Sequence, residues 1–307
     1  MAVARVRPIL LVLAGGLGTR FGGLKQLEPI GPQGETLLEY AIFDAQRAGF
    51  GRVVLVVGKD FAEALRERIS SRCGAQLDVS CISQCLDDLP AGHAAPAGRT
   101  RPWGTLHAVW SARATLDGPF AVINADDFYG SEAYRRVARF LAEPGALAAP
   151  RVCCMVAYAL ERTLSGSGGV NRGICTAAHG WLHGVVEHTA IVRQSGAVDC
   201  EGVGPDGQRI ALRADALASM NIWGFLPSIV ESMGAFLADF LTGHPDSLAA
   251  ECYLPAFVNH AIQQNSVCCR VLQTSGSWFG ITHPQDKPAC VEAIRTLVDI
   301  GEYPRGR

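Results

Sequence analysis

Two groups of residues have the types and spacing to handle phosphate. The first follows the apolar run Ile9 to Leu13 and reads Ala14-Gly15-Gly16-Leu17-Gly18-Thr19-Arg20-Phe21-Gly22-Gly23-Leu24-Lys25-Gln26. Glycines let a backbone adopt φ > 0 and bring its N–H groups close to an anion. Ala14, Gly15, Gly16, Gly18 and Thr19 are therefore candidates to cradle a polyphosphate, and Arg20 and Lys25 add two cations that could offset charge during its chemistry. The second group, Asn124-Ala125-Asp126-Asp127, ends the apolar run Phe120 to Ile123. Carboxylates at the end of a central parallel strand face the crevice where open α/β sheets bind ligands, and their hard oxygens suit Mg2+. Adjacent residues in extended chain point opposite ways, so Asp127 is the weaker ligand and could instead cap the following helix.

Two better-known phosphate loops do not fit. A Walker loop needs Gly-Lys-Ser/Thr, but Lys25 stands between Leu24 and Gln26. A dinucleotide fingerprint needs glycine where Phe21 stands and a helix opening at once, whereas Pro29, Gly31, Pro32 and Gly34 keep the chain irregular. What remains, Gly-Gly-x-Gly-Thr-Arg followed shortly by Lys, resembles the signature of the sugar-phosphate nucleotidyltransferases, a nucleoside-triphosphate transferase family with a Rossmann-like sheet. The compact loop ending Lys25-Gln26 is also similar to that of cytidylyltransferases acting on small alcohol phosphates.

The resemblance implies roles for further residues. Gln84, at a strand end, and the Gly104-Thr105 turn fall in the order of the elements that hold the nucleotide base, and an amide offers a base edge both donor and acceptor. Asp126 takes the metal-ligand role, with Ala125 in the family's glycine place. Gly169 in Gly168-Gly169-Val170-Asn171-Arg172-Gly173, Glu187 in Val186-Glu187-His188, and Asn221 in Met220-Asn221-Ile222-Trp223-Gly224 occur in the order of the acceptor-binding elements. Two positions depart from the pattern: His188 replaces a phosphate-binding Lys, and Gly280 replaces a second metal-binding Asp. The implied activity moves a nucleotidyl group from an NTP to a sugar 1-phosphate or similar phosphorylated small molecule, releasing pyrophosphate. A transferase for a non-sugar alcohol phosphate is the alternative enzyme. A catalytically silent nucleotide-sugar sensor is the alternative that the two departures suggest.

The elements that must position these residues follow from periodicity. Thr36 stands as N-cap before Leu38, Ile42 and Ala45, and Gly49 closes that helix. Val53 to Val57 reads as a second buried strand, Phe61 to Ile69 as a helix, and Leu77 to Ile82 as a strand ending at Gln84. Leu86 to Arg101 lacks periodicity and is suited to be a loop that moves over the site. Thr105 is expected to cap a helix reaching about Leu116, with His107 packed on it. From Val152 onward the strands shorten: Val152 to Ala159, Gly173 to Ala177, Trp181 to Val186, Ile191 to Arg193 and Gln208 to Leu212. Helices are expected after Pro227, over Leu254 to Gln264 and over Lys287 to Ile300, with a strand at Val267 to Leu272. The fold expected is α/β: a Rossmann-like, mostly parallel sheet flanked by helices, with residues 1–150 as the nucleotide-binding half. Residues 151–307 form a strand-rich acceptor-binding lobe of the same continuous domain.

Composition bounds the remaining choices. With 307 residues and 49% hydrophobic content, the chain can bury a large core. Its net charge of -2 comes from scattered residues, which speaks for a small-molecule partner and against a nucleic-acid surface. No apolar run approaches the ~20 residues that span a bilayer, so no membrane partner is expected. Eleven cysteines include no C-x-x-C pair, and Cys153-Cys154 and Cys268-Cys269 sit in apolar runs as small hydrophobes, in keeping with reduced thiols in cytoplasm. A homo-oligomer is compatible with all of this.

Overall fold

The computed structural model describes residues 7–15, 27–73, 77–143, 152–194, 196–281 and 284–305. Gly16, Gly18, Thr19, Arg20 and Lys25 lie outside the described residues.

Three apolar runs become β1 (Ile9–Ala14), β2 (Arg52–Val57) and β4 (Phe120–Asn124), an alternating run becomes β3 (Asp78–Ser83), and all four are parallel, in the spatial order β3-β2-β1-β4. The uninterrupted hydrophobicity of β1, β2 and β4 has a direct cause, since both their faces are covered, whereas β3 ends the strand order and keeps polar positions. Leu10 and Val12 pack in one apolar layer, while Ile9 and Leu11 pack in the other. Helices α1 (Leu37–Ala48), α2 (Ala62–Arg72) and α3 (Thr105–Ser111) make the crossovers. Thr36 and Glu39 close a capping box at the start of α1, and Gly49 ends it in the left-handed conformation at φ 99°.

The chain continues through β5 (Asp127–Phe128), α4 (Ser131–Ala142), β6 (Val152–Ala159), β7 (Val170–Ala178), β8 (Trp181–Val192), β9 (Cys200–Val203), β10 (Arg209–Leu212) and β11 (Leu217–Phe225). It ends with α5 (Ile229–Gly243), α6 (Leu254–Gln263), β12 (Cys268–Gln273), β13 (Phe279–Gly280) and α7 (Lys287–Asp299). Strand β11 lies antiparallel between β4 and β6, β12 pairs parallel with β6, and the ladder then passes through β8 and β9 to β10. Strand β7 bridges β11 and β8. Among the described residues, one eleven-stranded sheet thus carries both halves of the mixed α/β chain, and β5 pairs with β13 in a small sheet of its own.

Several local expectations are corrected. The two strands expected at Trp181 to Val186 and Ile191 to Arg193 are one strand, β8, because its exposed face tolerates Glu187 and Thr189 while Leu182, Val185, His188 and Ile191 are buried. Strand β11, which periodicity does not announce, contains a bulge at Met220 to Ile222 with Asn221 at φ 62°. Helix α3 stops at Ser111 and continues only as a short 3-10 turn, Arg113–Thr115. Thr105 does not cap α3: Gly104 holds that position, and the Thr105 hydroxyl accepts the Leu254 N–H at 2.9 Å. Cys268 is exposed, unlike Cys153, Cys154 and Cys269, and every described cysteine is free. Among the described residues, no helix is long and apolar enough to cross a membrane.

Candidate functional site

In the order β3-β2-β1-β4 the connections leave β1 in opposite directions, so a crevice opens beyond the carboxyl ends of β1 and β4. Two cavities of about 640 Å³ each lie there. One is walled by Leu13, Gly15, Gln84, Pro102, Gly104 and Glu251, the other by Arg172, Glu187, Asn221, Tyr253, Asn259 and Trp278. They share Thr105, Asn124 and Asp126. Asp126, placed by the end of β4, therefore faces both.

Gln84 projects from the end of β3, where its backbone N–H donates to Val57 at 2.9 Å. Its amide nitrogen donates to the Gly104 carbonyl at 3.2 Å and lies 3.0 Å from His107 Nδ1. Its oxygen faces Gly15, where a Cβ would come within 2.8 Å of it. Gly104 holds its turn at φ 96°, and a Cβ there would strike the Cys252 backbone at 2.6 Å. His107 is fully buried, and burial lowers its pKa. The loop over Leu86 to Arg101 is irregular as expected, yet it is fastened. Asp88 pairs in bidentate fashion with Arg113 at 2.7 and 2.8 Å, and Arg99 donates to the Ser247, Ala250 and Pro102 carbonyls.

Between the cavities runs a chain of directed hydrogen bonds. Trp223 Nε1, which can only donate, points at Asn221 Oδ1 at 2.9 Å, so Asn221 turns its Nδ2 to Asn124 Oδ1 at 2.7 Å. Asn124 Nδ2 then donates to Asp127 Oδ2 at 2.9 Å, and the Tyr129 hydroxyl reaches the same oxygen at 3.1 Å. Asp127 lines the second cavity beside Asp126 and opens β5, while Gly130 stands at the N-cap of α4, so capping is not its role. Its carboxylate occupies the space next to Gly280, where a Cβ would lie 2.6 Å from Asp127 Oδ1 and 3.0 Å from the Trp278 ring. Position 280 has no room for a second aspartate while Asp127 stands there.

In the second cavity Glu187 stands on the exposed face of β8, and desolvation raises its pKa, opposed by Arg172 and His188. Arg172 stands 4.6 Å over the Trp278 ring and donates through Nε to the Thr163 carbonyl at 3.1 Å. Burial pulls its pKa down to about 10, which leaves it charged near neutrality. Across the β7–β8 ladder Arg172 pairs directly with His188, whose ring turns to the Val186 carbonyl and stays out of the cavity. Asn259 clamps the Val185 backbone with both ends of its amide, at 2.7 and 2.8 Å.

Of the residues singled out in the sequence, Gly15, Gln84, Gly104 and Thr105 meet in one cavity, and Glu187 and Asn221 in the other, with Asp126 and Thr105 common to both. Ala14 is buried at the end of β1. Gly169 is not brought in: it lines a separate hollow of about 410 Å³ that touches the second cavity only through Asn171, Arg172 and Trp278. Arg172, Asn124, Tyr253 and Asn259 were not among the expected site residues. Arg172 and Asn124 stand inside the motifs around Gly169 and Asp126, and a cation beside Gly173 is a usable signal; Tyr253 and Asn259 carry none.

Residues 10–152 match the family model of the MobA-like NTP transferase domain. That match spans just under half of the chain, and over it the chain carries an NTP transferase domain. In architecture the chain is similar to the inositol-1-phosphate CTP transferase from T. maritima, with a TM-score of 0.61 and 10% identity over 95% of this chain and 97% of that one. It is similar also to a UDP-glucose pyrophosphorylase complexed with UDP-glucose, with a TM-score of 0.57 and 16% identity over 95% and 99%. At these identities the likeness speaks for the fold. No curated protein matches the chain.

Proposed function

We propose that the transferase moves a nucleotidyl group from an NTP held in the Gln84 cavity to the phosphate of a sugar 1-phosphate or polyol phosphate held in the Glu187 cavity. One observation carries this reading: two cavities of equal size open onto the same carboxylate, Asp126. The acceptor phosphate has a second pKa near about 6, so it arrives ionised and needs no general base. One of its oxygens attacks the α-phosphorus. A new P–O bond forms there, the bond to the bridging oxygen breaks, and pyrophosphate leaves with that electron pair. The protein's work is to align two anions that repel each other.

Arg172 supports the acceptor assignment, because it is the one cation among the described residues lining the Glu187 cavity, beside three carboxylates. It takes over, from the opposite strand, the charge that His188 does not bring. Glu187 and Asn221 suit the hydroxyls of the acceptor. Gly15, Gln84, Gly104 and Thr105 suit base and sugar of the NTP, while Ala14, Gly16, Gly18 and Thr19, with Arg20 and Lys25, are assigned to its phosphates. Mg2+ fits at Asp126: among the described residues no three His, Cys, Asp or Glu converge, and one carboxylate with substrate oxygens and water is a donor set that magnesium accepts. When bound, the ion would polarise the α-phosphate. A cytoplasmic enzyme accords with the free cysteines.

The test is pyrophosphate release by the full chain with Mg2+, each of UTP, CTP, GTP, ATP and dTTP being paired with a panel of sugar 1-phosphates and polyol phosphates. Release with at least one pair is expected. Nucleotide binding without release from any pair would instead support the silent sensor.

A further inference from the structure

We propose that His107, which lines neither cavity, is the positioning residue that decides which end of the Gln84 amide meets the nucleobase. The inference rests on the reading of the Gln84 cavity as the NTP side. His107 Nε2 lies 2.9 Å from the Asp88 carbonyl oxygen, which can only accept, so Nε2 carries the hydrogen. In a neutral ring Nδ1 is then a bare acceptor, and it lies 3.0 Å from Gln84 Nε2. The second N–H of that amide goes to the Gly104 carbonyl at 3.2 Å. Both donors of Gln84 are thereby engaged.

The reverse orientation of the amide would set its oxygen against a carbonyl oxygen and a ring lone pair at once. His107 therefore turns the Gln84 oxygen to the cavity, toward Gly15. Gln84 presents an acceptor and no donor. The base that fits must bring an N–H to this wall, such as an imide or lactam N–H or an exocyclic amine. The general expectation that an amide offers a base edge both donor and acceptor does not hold here, because the donors are spent inside the protein.

Two isosteres separate this role from packing. In H107N the shorter amide reaches as far as Nδ1 and can keep an acceptor toward Gln84. In H107Q the longer amide reaches the Nε2 position, keeps the bond to the Asp88 carbonyl and removes the acceptor. Calorimetric titration of the full chain with Mg2+ and UTP, CTP, GTP, ATP or dTTP, and separately with inorganic tripolyphosphate, reads the outcome. The affinity of H107Q for the best nucleotide should fall about tenfold, the size of one lost hydrogen bond, with tripolyphosphate affinity within about twofold of the parent. H107N should stay within about threefold for both. In turnover, H107Q should raise the nucleotide KM and leave kcat nearly unchanged. On a Q84A background, adding H107Q should change nothing further.

Parallel loss of nucleotide and tripolyphosphate binding in both variants would overturn the inference in favour of a packing role. Parent-like nucleotide binding by H107Q would overturn it as well. A parent chain that binds tripolyphosphate and no nucleotide would overturn the reading of the cavity itself, and the inference with it.

Discussion

The Gln84 cavity is walled by strand ends and by glycines at Gly15 and Gly104, whereas the Glu187 cavity is walled by side chains from β7, β8, β11 and α6. On the proposed reading the first would recognise by close approach of backbone, the second by charge and amide groups set on a sheet. The difference has a practical consequence. Adding a methyl should damage the Gln84 cavity, removing a side chain should damage the Glu187 cavity, and only a change at their shared wall should damage both.

The largest effect is therefore expected at Asp126. Asp126→Asn keeps the shape of the side chain and removes the charge that would hold a hard cation, so turnover should fall by about 10³-fold while Tm stays close to the parent. Pyrophosphate release read with the best substrate pair checks it. Release within about tenfold of the parent would break the claim that the two cavities meet at this carboxylate.

Next comes Arg172. Arg172→Met retains much of the stem over Trp278 and deletes the one cation on the acceptor wall among the described residues. The acceptor KM should rise at least about thirtyfold, in line with about 2 kcal/mol for a charge-assisted contact, with nucleotide affinity unchanged. Equal loss on both substrates would mean that the cavities are not separable by side-chain deletion.

Gly15→Ala tests the other wall with a smaller effect. The new Cβ would lie 2.8 Å from the Gln84 oxygen, and that amide is tied on its far side to Gly104 and His107. Nucleotide affinity should drop about fivefold with the acceptor KM unchanged, and Gln84→Ala should relieve the clash, so that the double variant binds no worse than Gln84→Ala alone. Titration of the three variants with the preferred NTP decides.

The same contrast explains what could be read from the chain before its structure. Gly15 and Gly104 announce themselves, because each backbone runs so close to the Gln84 amide or the Cys252 backbone that only glycine fits. Strands β1, β2 and β4 are legible because burial on both faces makes them continuously apolar, and β3 is legible by its alternation. The acceptor wall is assembled across ladders instead. Arg172 faces His188 from 16 positions away, and Gly280 lies against Asp127 from the far end of the chain, pairings that only the register reveals. The missing cation at 188 and the missing carboxylate at 280 thus looked like losses in the sequence. In the fold each has a neighbour across the ladder carrying the same charge.

The smallest effect on turnover is expected at Asp44, outside both cavities, where the whole effect should fall on stability. Asp44 is buried in α1; its Oδ2 accepts the Tyr303 hydroxyl at 2.7 Å, and its Oδ1 has no partner among the described residues. Burial, opposed first by the Tyr303 hydrogen bond, raises its pKa from 3.8 to about 7. The folded state therefore binds this proton more tightly than the unfolded chain. Stability should fall as pH rises from about 4 to about 7, and above that both states are ionised and the full penalty is present. That penalty is at most about 4 kcal/mol for a shift of this size. Asp44→Asn removes the ionisation, but its amide N–H would stand where Oδ1 lacks a partner, at a cost of about 1–3 kcal/mol. The variant should thus be more stable than the parent at pH 8 by about 1–2 kcal/mol and no more stable at pH 5, with both KM values unchanged. Urea denaturation at the two pH values reads the crossover. A variant less stable at both would mean that Asp44 is held ionised in the fold, and a shifted KM would mean that α1 and the tail at Tyr303 bear on the cavities after all.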